Sequence, residues 1–238
     1  MKNIFIKKFL WSWFKKLCIW FFALSIGLVL IFKWVPVPVT FFMLQRCVVQ
    51  KFDGESMKLK KDWVSIDKIA NNVQLAVVCA EDQNFVRHQG FDFVAIKKAM
   101  DYNERMEDKG KNKRRGASTI SQQTAKNVFL WHGRSFIRKG FEVYFTFLIE
   151  TLWSKERIME VYLNVIELGN GVYGVEAASQ AYFKKPAAKL SNNEAALIAV
   201  VLPNPRKFSI ANPSGYVLKR QNWCTKQMRH WGSKLQYN

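Results

Sequence analysis

The chain has 238 residues, 49% of them hydrophobic and 15% aromatic, which is enough for one substantial core plus an accessory segment and too little for two independent enzymatic domains. Lys and Arg number 37 against 18 Asp and Glu, a net charge of +19, so a large partner surface has to be anionic: nucleic acid, anionic lipid or a phosphorylated small molecule. The cysteines argue against a disulfide framework or a zinc site, since Cys18 lies in an apolar run and Cys47, Cys79 and Cys224 have no ligand-like spacing.

The chain opens with Lys2, Lys7, Lys8, Lys15 and Lys16, followed by an uncharged run from Leu17 to Phe32 and then Lys33. The run is shorter than the ~20 residues a hydrocarbon core of ~30 Å asks for, but Trp11, Trp13 and Trp34 suit the interfaces and the lysines can snorkel. Cleavage at Ala23-Leu24-Ser25 is the rival reading, disfavoured by the apolar residues Ile26 to Phe32 behind it. The expectation is an uncleaved transmembrane anchor over 17–34, preceded by a basic cytoplasmic N-terminus over 1–16. The positive-inside rule then places the rest outside the cytoplasm, in the periplasm or cell exterior, which argues against a nucleic-acid partner.

Pro36 and Pro38 end the helix in a short stiff exit, and 35–66 reads as a membrane-proximal linker and the start of the working domain, which occupies 67–238. Ile69, Val73, Val77 and Ala80 recur at helical steps and lead to Glu81 and Asp82. A short helix over Asp92 to Met100 precedes Asp101 to Arg115, whose charge density and missing aliphatic stripe predict a mobile loop. Helices follow over Ser118 to Leu130 and Ser135 to Trp153, the second with Ile137, Phe141, Tyr144, Phe145, Leu148 and Leu152 on one face. Ser154 caps a helix through Tyr162, and the capping box Ser191-Asn192-Asn193-Glu194 opens an apolar helix, Ala195 to Leu202, that Pro203 ends. No stretch alternates with period two, so the domain is expected to be mainly α; the basic tail Lys219 to Lys234 has no legible structure.

Three segments could carry chemistry. Glu81-Asp82-x-x-Phe85-x-x-His88-x-Gly90 sets two acids at the end of an apolar helix, where burial raises a carboxylate pKa and suits it to take a proton from a sugar hydroxyl; a capped helix end is the bland alternative. Thr119, Gln123 and Lys126 fall on one helix face at steps of four and three, a hydroxyl, amide and ammonium fit for a sugar phosphate. A start near Ser118 would also offer free N–H groups to an anion, although a polar helix face is more often simply solvated. Arg138, Lys139 and Glu142 are either a cationic cluster for pyrophosphate beside a second acid or an ordinary helical ion pair.

Together these segments resemble the peptidoglycan glycosyltransferases of glycosyltransferase family 51, over about Val77 to Pro213. The E-D-x-x-F-x-x-H-x-G element is Glu81 to Gly90, G-x-S-T-I-x-Q-Q-x-x-K-N is Gly116 to Asn127 and R-K-x-x-E is Arg138 to Glu142; Lys155 to Asn164 and Gly174 to Phe183 complete five ordered elements. The resemblance implies a lysozyme-like helical domain behind a single N-terminal transmembrane helix, joining lipid II units into β-1,4 glycan strands and releasing polyprenyl pyrophosphate at the bacterial inner membrane.

By position, Glu81 resembles the general base, with Asp82, Phe85 and His88 around it. Glu142 resembles a second acid that aids the leaving pyrophosphate directly or through a divalent ion such as Mg or Mn, with Arg138 and Lys139 countering its charge. Ser118, Thr119, Gln123, Lys126 and Asn127 match substrate-cleft positions, and Glu160, Tyr162 and Asn164 match positions that are partly structural. The partners implied are lipid II, the growing lipid-linked strand and membrane lipids, with other cell-wall synthesis proteins as an option and nucleic acid excluded. Trp34, Phe41, Phe42, Met43 and Leu44 are candidates for an apolar mouth beside the membrane.

Two departures from the family pattern are Lys184, where Tyr-Phe is commonly followed by Gly, and Ile210, where proline is frequent. Ser65-Ile66-Asp67-Lys68 and Ser191-Asn192-Asn193 mimic transpeptidase elements, but no Lys-Thr-Gly occurs, so a monofunctional enzyme is expected. The competing readings are a lytic enzyme on the same kind of fold and a non-catalytic membrane scaffold.

Overall fold

The computed structural model describes residues 2–133, 135–232 and 235–237, with only the backbone course for residues 2–6. Lys234 and Asn238, the last positions of the expected tail and domain, lie outside the described residues. The chain forms two compact units, residues 1–36 and 37–238.

The first unit is one helix, α1 (Lys2–Trp34), because no proline interrupts it before Pro36. Its Lys7–Trp34 portion is long and apolar enough to cross a membrane. The ammonium groups of Lys15, Lys16 and Lys33 lie 5.3, 5.9 and 5.0 Å from the rings of Trp11, Trp13 and Trp34, pairing cations with aromatics at both ends of the apolar run.

In the second unit Thr40 caps α2 (Phe41–Phe52), which the sequence pattern did not announce. Met43 is fully buried and Phe42 stacks on His132 with ring centres 5.2 Å apart, so of the four α2 residues proposed for an apolar mouth only Phe41 and Leu44 are exposed. There follow a two-residue strand, β1 (Lys60–Lys61), a 3-10 turn at Ile66–Lys68, α3 (Asn71–Glu81), α4 (Phe93–Asp108), α5 (Ile120–Phe129), α6 (Phe136–Leu152) and α7 (Lys155–Val165). The chain continues through β2 (Glu167–Gly169), β3 (Val172–Tyr173), α8 (Val175–Phe183), a 3-10 turn at Ala187–Lys189, α9 (Asn192–Val201) and α10 (Gly215–Trp231).

The core has two helical layers. In one, α9 buries every residue from Ala195 to Val201 against α3 and α10; in the other, α5 packs on α6 and α7. Each fully buried Ile, Leu or Met contributes roughly 1.5–3 kcal/mol, and Ile120, Ile149, Ile158, Met159 and Leu163 all belong to the second layer. Three ties across long stretches of sequence hold α3: Asn72 Nδ2 donates to Leu190 O at 2.7 Å, Cys224 Sγ to Ala76 O at 3.5 Å and Tyr237 Oη to Gln74 Oε1 at 2.6 Å.

Several expectations need correction. The supposed mobile loop from Asp101 continues α4 to Asp108, being rich in good helix formers, and Asn103 then fastens Arg115 by donating to its carbonyl at 3.1 Å and accepting from its N–H at 2.7 Å. A small sheet exists where none was expected: β3 pairs parallel with β1 and antiparallel with β2, in strands too short to show alternation. Its hairpin turns at Gly171 (φ 73°), where a Cβ would lie 2.2 Å from Lys58 O.

The inward face of α6 is rotated from the expected one: Glu142, Phe145, Thr146 and Ile149 are buried, whereas Ile137 is 72% exposed. A charged residue can occupy that face because two cations neutralise it, as described below. Lys184 has a left-handed conformation, φ 58°, the only such non-glycine among the described residues, which explains why glycine is common at its position.

Candidate active site

Glu81 ends α3 and Asp82 leaves the helix at φ −157°, ψ 81°, so the two neighbouring acids face different surroundings. Asp82 is buried, takes a hydrogen bond from His88 Nε2 at 2.9–3.0 Å and accepts the backbone N–H of Ile120 at 3.0 Å. It is thereby the anion at the N-terminus of α5, a placement that helix dipoles favour by about 0.3–2 kcal/mol. The expectation of open N–H groups near Ser118 is corrected accordingly. Ser118 is exposed outside the helix, and Thr119 is the cap, in a reciprocal box with Gln122. Thr119 Oγ1 also donates to Gly90 O at 2.6 Å. Gly90 has φ 85°, and a Cβ there would lie 2.9 Å from Thr146 Cγ2, so the first motif element packs this closely on α6 only because the residue has no side chain.

Glu81 is half-buried and makes no ion pair among the described residues. Its Oε2 accepts from Gln123 Nε2 at 2.8 Å, and Gln123 Oε1 accepts from Tyr162 Oη at 3.1 Å. Burial pushes the Glu81 pKa up; the Gln123 bond, then the charges of Lys126 and Arg220, pull against this, while Asp82 adds to it. A carboxylate so placed remains ionisable yet basic.

On α6 the Glu142 carboxylate is buried and binds Arg138 Nη1 at 2.8 Å through one oxygen and Lys139 Nζ through the other. Lys126, on α5, lies in the field of both acids. Burial lowers its pKa, Glu142 and Glu81 raise it, and Arg138 and Lys139 lower it again. The helical ion pair expected as one reading of this segment is present, and Arg138 and Lys139 flank one buried carboxylate.

The other candidates divide clearly. Phe85 is fully buried, with Lys155 Nζ 4.8 Å from its ring centre, and Asn127 is buried on α5. Glu160 pairs with Arg157 at 3.1 Å, and Asn164 exchanges hydrogen bonds with both backbone groups of Val64, so these two hold the framework. Three residues that sequence reasoning missed form a second knot, with Ser121 Oγ donating to Glu150 and Lys155 Nζ bonding Glu150 at 2.8 Å. Glu150 and Lys155 stand on different helices with no periodic spacing to advertise them. Arg220 acts on Glu81 from α10, in the tail whose structure was illegible.

The donor set does not fit a protein-held divalent cation. Both Glu142 oxygens are engaged by Arg138 and Lys139, Asp82 is engaged by His88 and Ile120, and among the described residues no three His, Cys, Asp or Glu side chains converge.

Residues 47–229 match the transglycosylase family. The chain is 57% identical over 210 residues, 88% of its own length and 82% of the relative's, to a biosynthetic peptidoglycan transglycosylase of Bdellovibrio bacteriovorus. It is 50% identical over 237 residues, 98% and 95% of the two lengths, to one of Mannheimia succiniciproducens, and 52% identical over 223 residues, 94% and 88%, to one of Bacteroides thetaiotaomicron. With its helical, lysozyme-like domain, this chain belongs to the transglycosylase family of glycosyltransferases.

Proposed function

We propose that this peptidoglycan transglycosylase polymerises lipid II into linear β-1,4 glycan strands with release of polyprenyl pyrophosphate, using Glu81 as general base. The observation that carries the reading is a contrast among acids: Asp82, Glu142, Glu150 and Glu160 are each engaged by a cation or an imidazole, whereas Glu81 keeps one amide donor and a pKa raised by burial. Glu81 takes the proton of an acceptor sugar hydroxyl as that oxygen bonds to the donor's anomeric carbon. The bond from that carbon to pyrophosphate breaks with its electron pair on the leaving oxygen. Lys126, Arg138 and Lys139 stabilise the charge that develops there, and Glu142 holds the two α6 cations in place.

The anchor serves the same chemistry, since donor and acceptor both carry lipid tails and a tethered enzyme meets them in the membrane plane. The five lysines before Leu17 set the N-terminus in the cytoplasm and the catalytic domain in the periplasm. The test is the purified full chain incubated with lipid II in detergent or vesicles. Growing glycan strands and released polyprenyl pyrophosphate, both slowed by orders of magnitude in Glu81→Gln, are expected. Inertness on lipid II together with cleavage of finished wall would make the enzyme lytic, and full activity in Glu81→Gln would remove the base assignment.

A further inference from the structure

The Gln123 side chain stands between a hydroxyl and a carboxylate, and an amide has one donating and one accepting end, so its orientation selects which form of Glu81 is favoured. With Nε2 towards Glu81, the ionised carboxylate accepts. Turned over, Oε1 would face Glu81 and only the protonated carboxyl could bond to it. The two orientations are nearly identical in shape, so packing alone cannot choose between them.

Tyr162 makes the choice. Its side chain is wholly buried on α7, and Gln123 Oε1 accepts from its hydroxyl at 3.1 Å. Reversal of the amide would let Nε2 donate to the hydroxyl oxygen but take away the acceptor Oε1, leaving the phenolic proton without its partner in a buried site, which proteins strongly avoid. Burial, with the charges of Glu81 and Asp82 adding to it, keeps the phenol protonated across the working pH range, so the donor is always present.

We propose that Tyr162 is a positioning residue that, by donating to Gln123, fixes the orientation of that amide and thereby holds Glu81 ionised and aimed for proton abstraction. The proposal rests on the reading of Glu81 as the base. It accounts for a tyrosine rather than a phenylalanine at a position otherwise enclosed in the core, and gives Gln123 a role besides touching substrate.

The pH dependence of kcat/KM for lipid II polymerisation by the full chain tests it. Tyr162→Phe keeps the ring that fills the core, and its acid limb is expected to move up by about one pH unit. Tyr162→p-aminophenylalanine restores a donor and is expected to bring the limb back. In a Gln123→Met background, adding Tyr162→Phe is expected to produce no further movement, because the effect passes through the amide. A uniform loss of rate with an unmoved limb, or a shift that persists in the Gln123→Met background, overturns the proposal while leaving Glu81 as base. Full activity in Glu81→Gln overturns the base reading and the proposal with it.

Discussion

Glu81 and Glu142 carry the same functional group in opposite settings. Glu142 lies buried with a cation on each oxygen, whereas Glu81 lies at a helix end with one neutral amide donor and the charge of Lys126 nearby. A saturated carboxylate is a structural counter-ion that organises cations, and an under-satisfied one at an apolar wall is a proton acceptor. Environment, rather than residue type, divides the labour.

Four substitutions can break or sharpen this contrast. Glu81→Gln removes the proton acceptor and is expected to lower lipid II polymerisation by about 10³-fold, within the range for general-base catalysis, without loss of thermal stability. The sign of the pH effect follows from burial. Because the folded-state pKa of Glu81 is raised, its stabilising contribution is complete below the unfolded carboxylate value and is lost as pH rises through the folded value. Glu81→Gln should therefore gain more in Tm over the parent chain at pH 8 than at pH 5; equal gains at both would contradict the raised pKa.

Glu142→Gln is expected to do the reverse, lowering Tm markedly. Breaking a buried ion pair costs about 3 kcal/mol at the low end of the range, appropriate here because the Lys139 side chain is 45% exposed. Its rate should fall by about 10²-fold as the cations lose their arrangement. If Glu142→Gln melts at the parental temperature, the counter-ion role is wrong. Asp82→Asn weakens the bonds to His88 and to the Ile120 N–H and should cost ~1–2 kcal/mol, with the rate within about tenfold of the parent. A rate as low as that of Glu81→Gln would transfer the base role to Asp82. Smallest of all, Lys184→Gly relieves the left-handed residue after α8 and should add ~0.5–1 kcal/mol, with the rate unchanged; calorimetry decides it.

What was legible in the sequence followed from local rules. The Ser191 capping box, the Ser154 cap and the proline exit of α1 each depend on residues within a turn of one another. The candidate site was legible as residue types in order, with Glu81, Gln123, Lys126, Arg138, Lys139 and Glu142 as its expected members. Their partnerships were not legible. His88 serves Asp82 rather than Glu81, and the α5 terminus is closed by a carboxylate 38 residues earlier in the chain, a bond across space that no spacing encodes. The rotated face of α6 failed for the same reason, because an apolar count cannot anticipate that Glu142 enters the core once Arg138 and Lys139 cancel its charge. Two-residue strands are too short for any alternation to register.

The bed of α3 has a consequence for biogenesis. The helix that ends in Glu81 is clamped by α9 and α10, and tied by Asn72 to Leu190 just before α9 and by Ala76 to Cys224 on α10, the last two 148 residues apart. As the polypeptide emerges from the ribosome, the motif acids appear long before the segments that seat them, and contacts so distant in sequence form slowly. A nascent chain lacking residues 215–231 therefore presents the Glu81 helix covered by α9 but open on its α10 side, and under the proposed function competence to build glycan is expected only with the last helix.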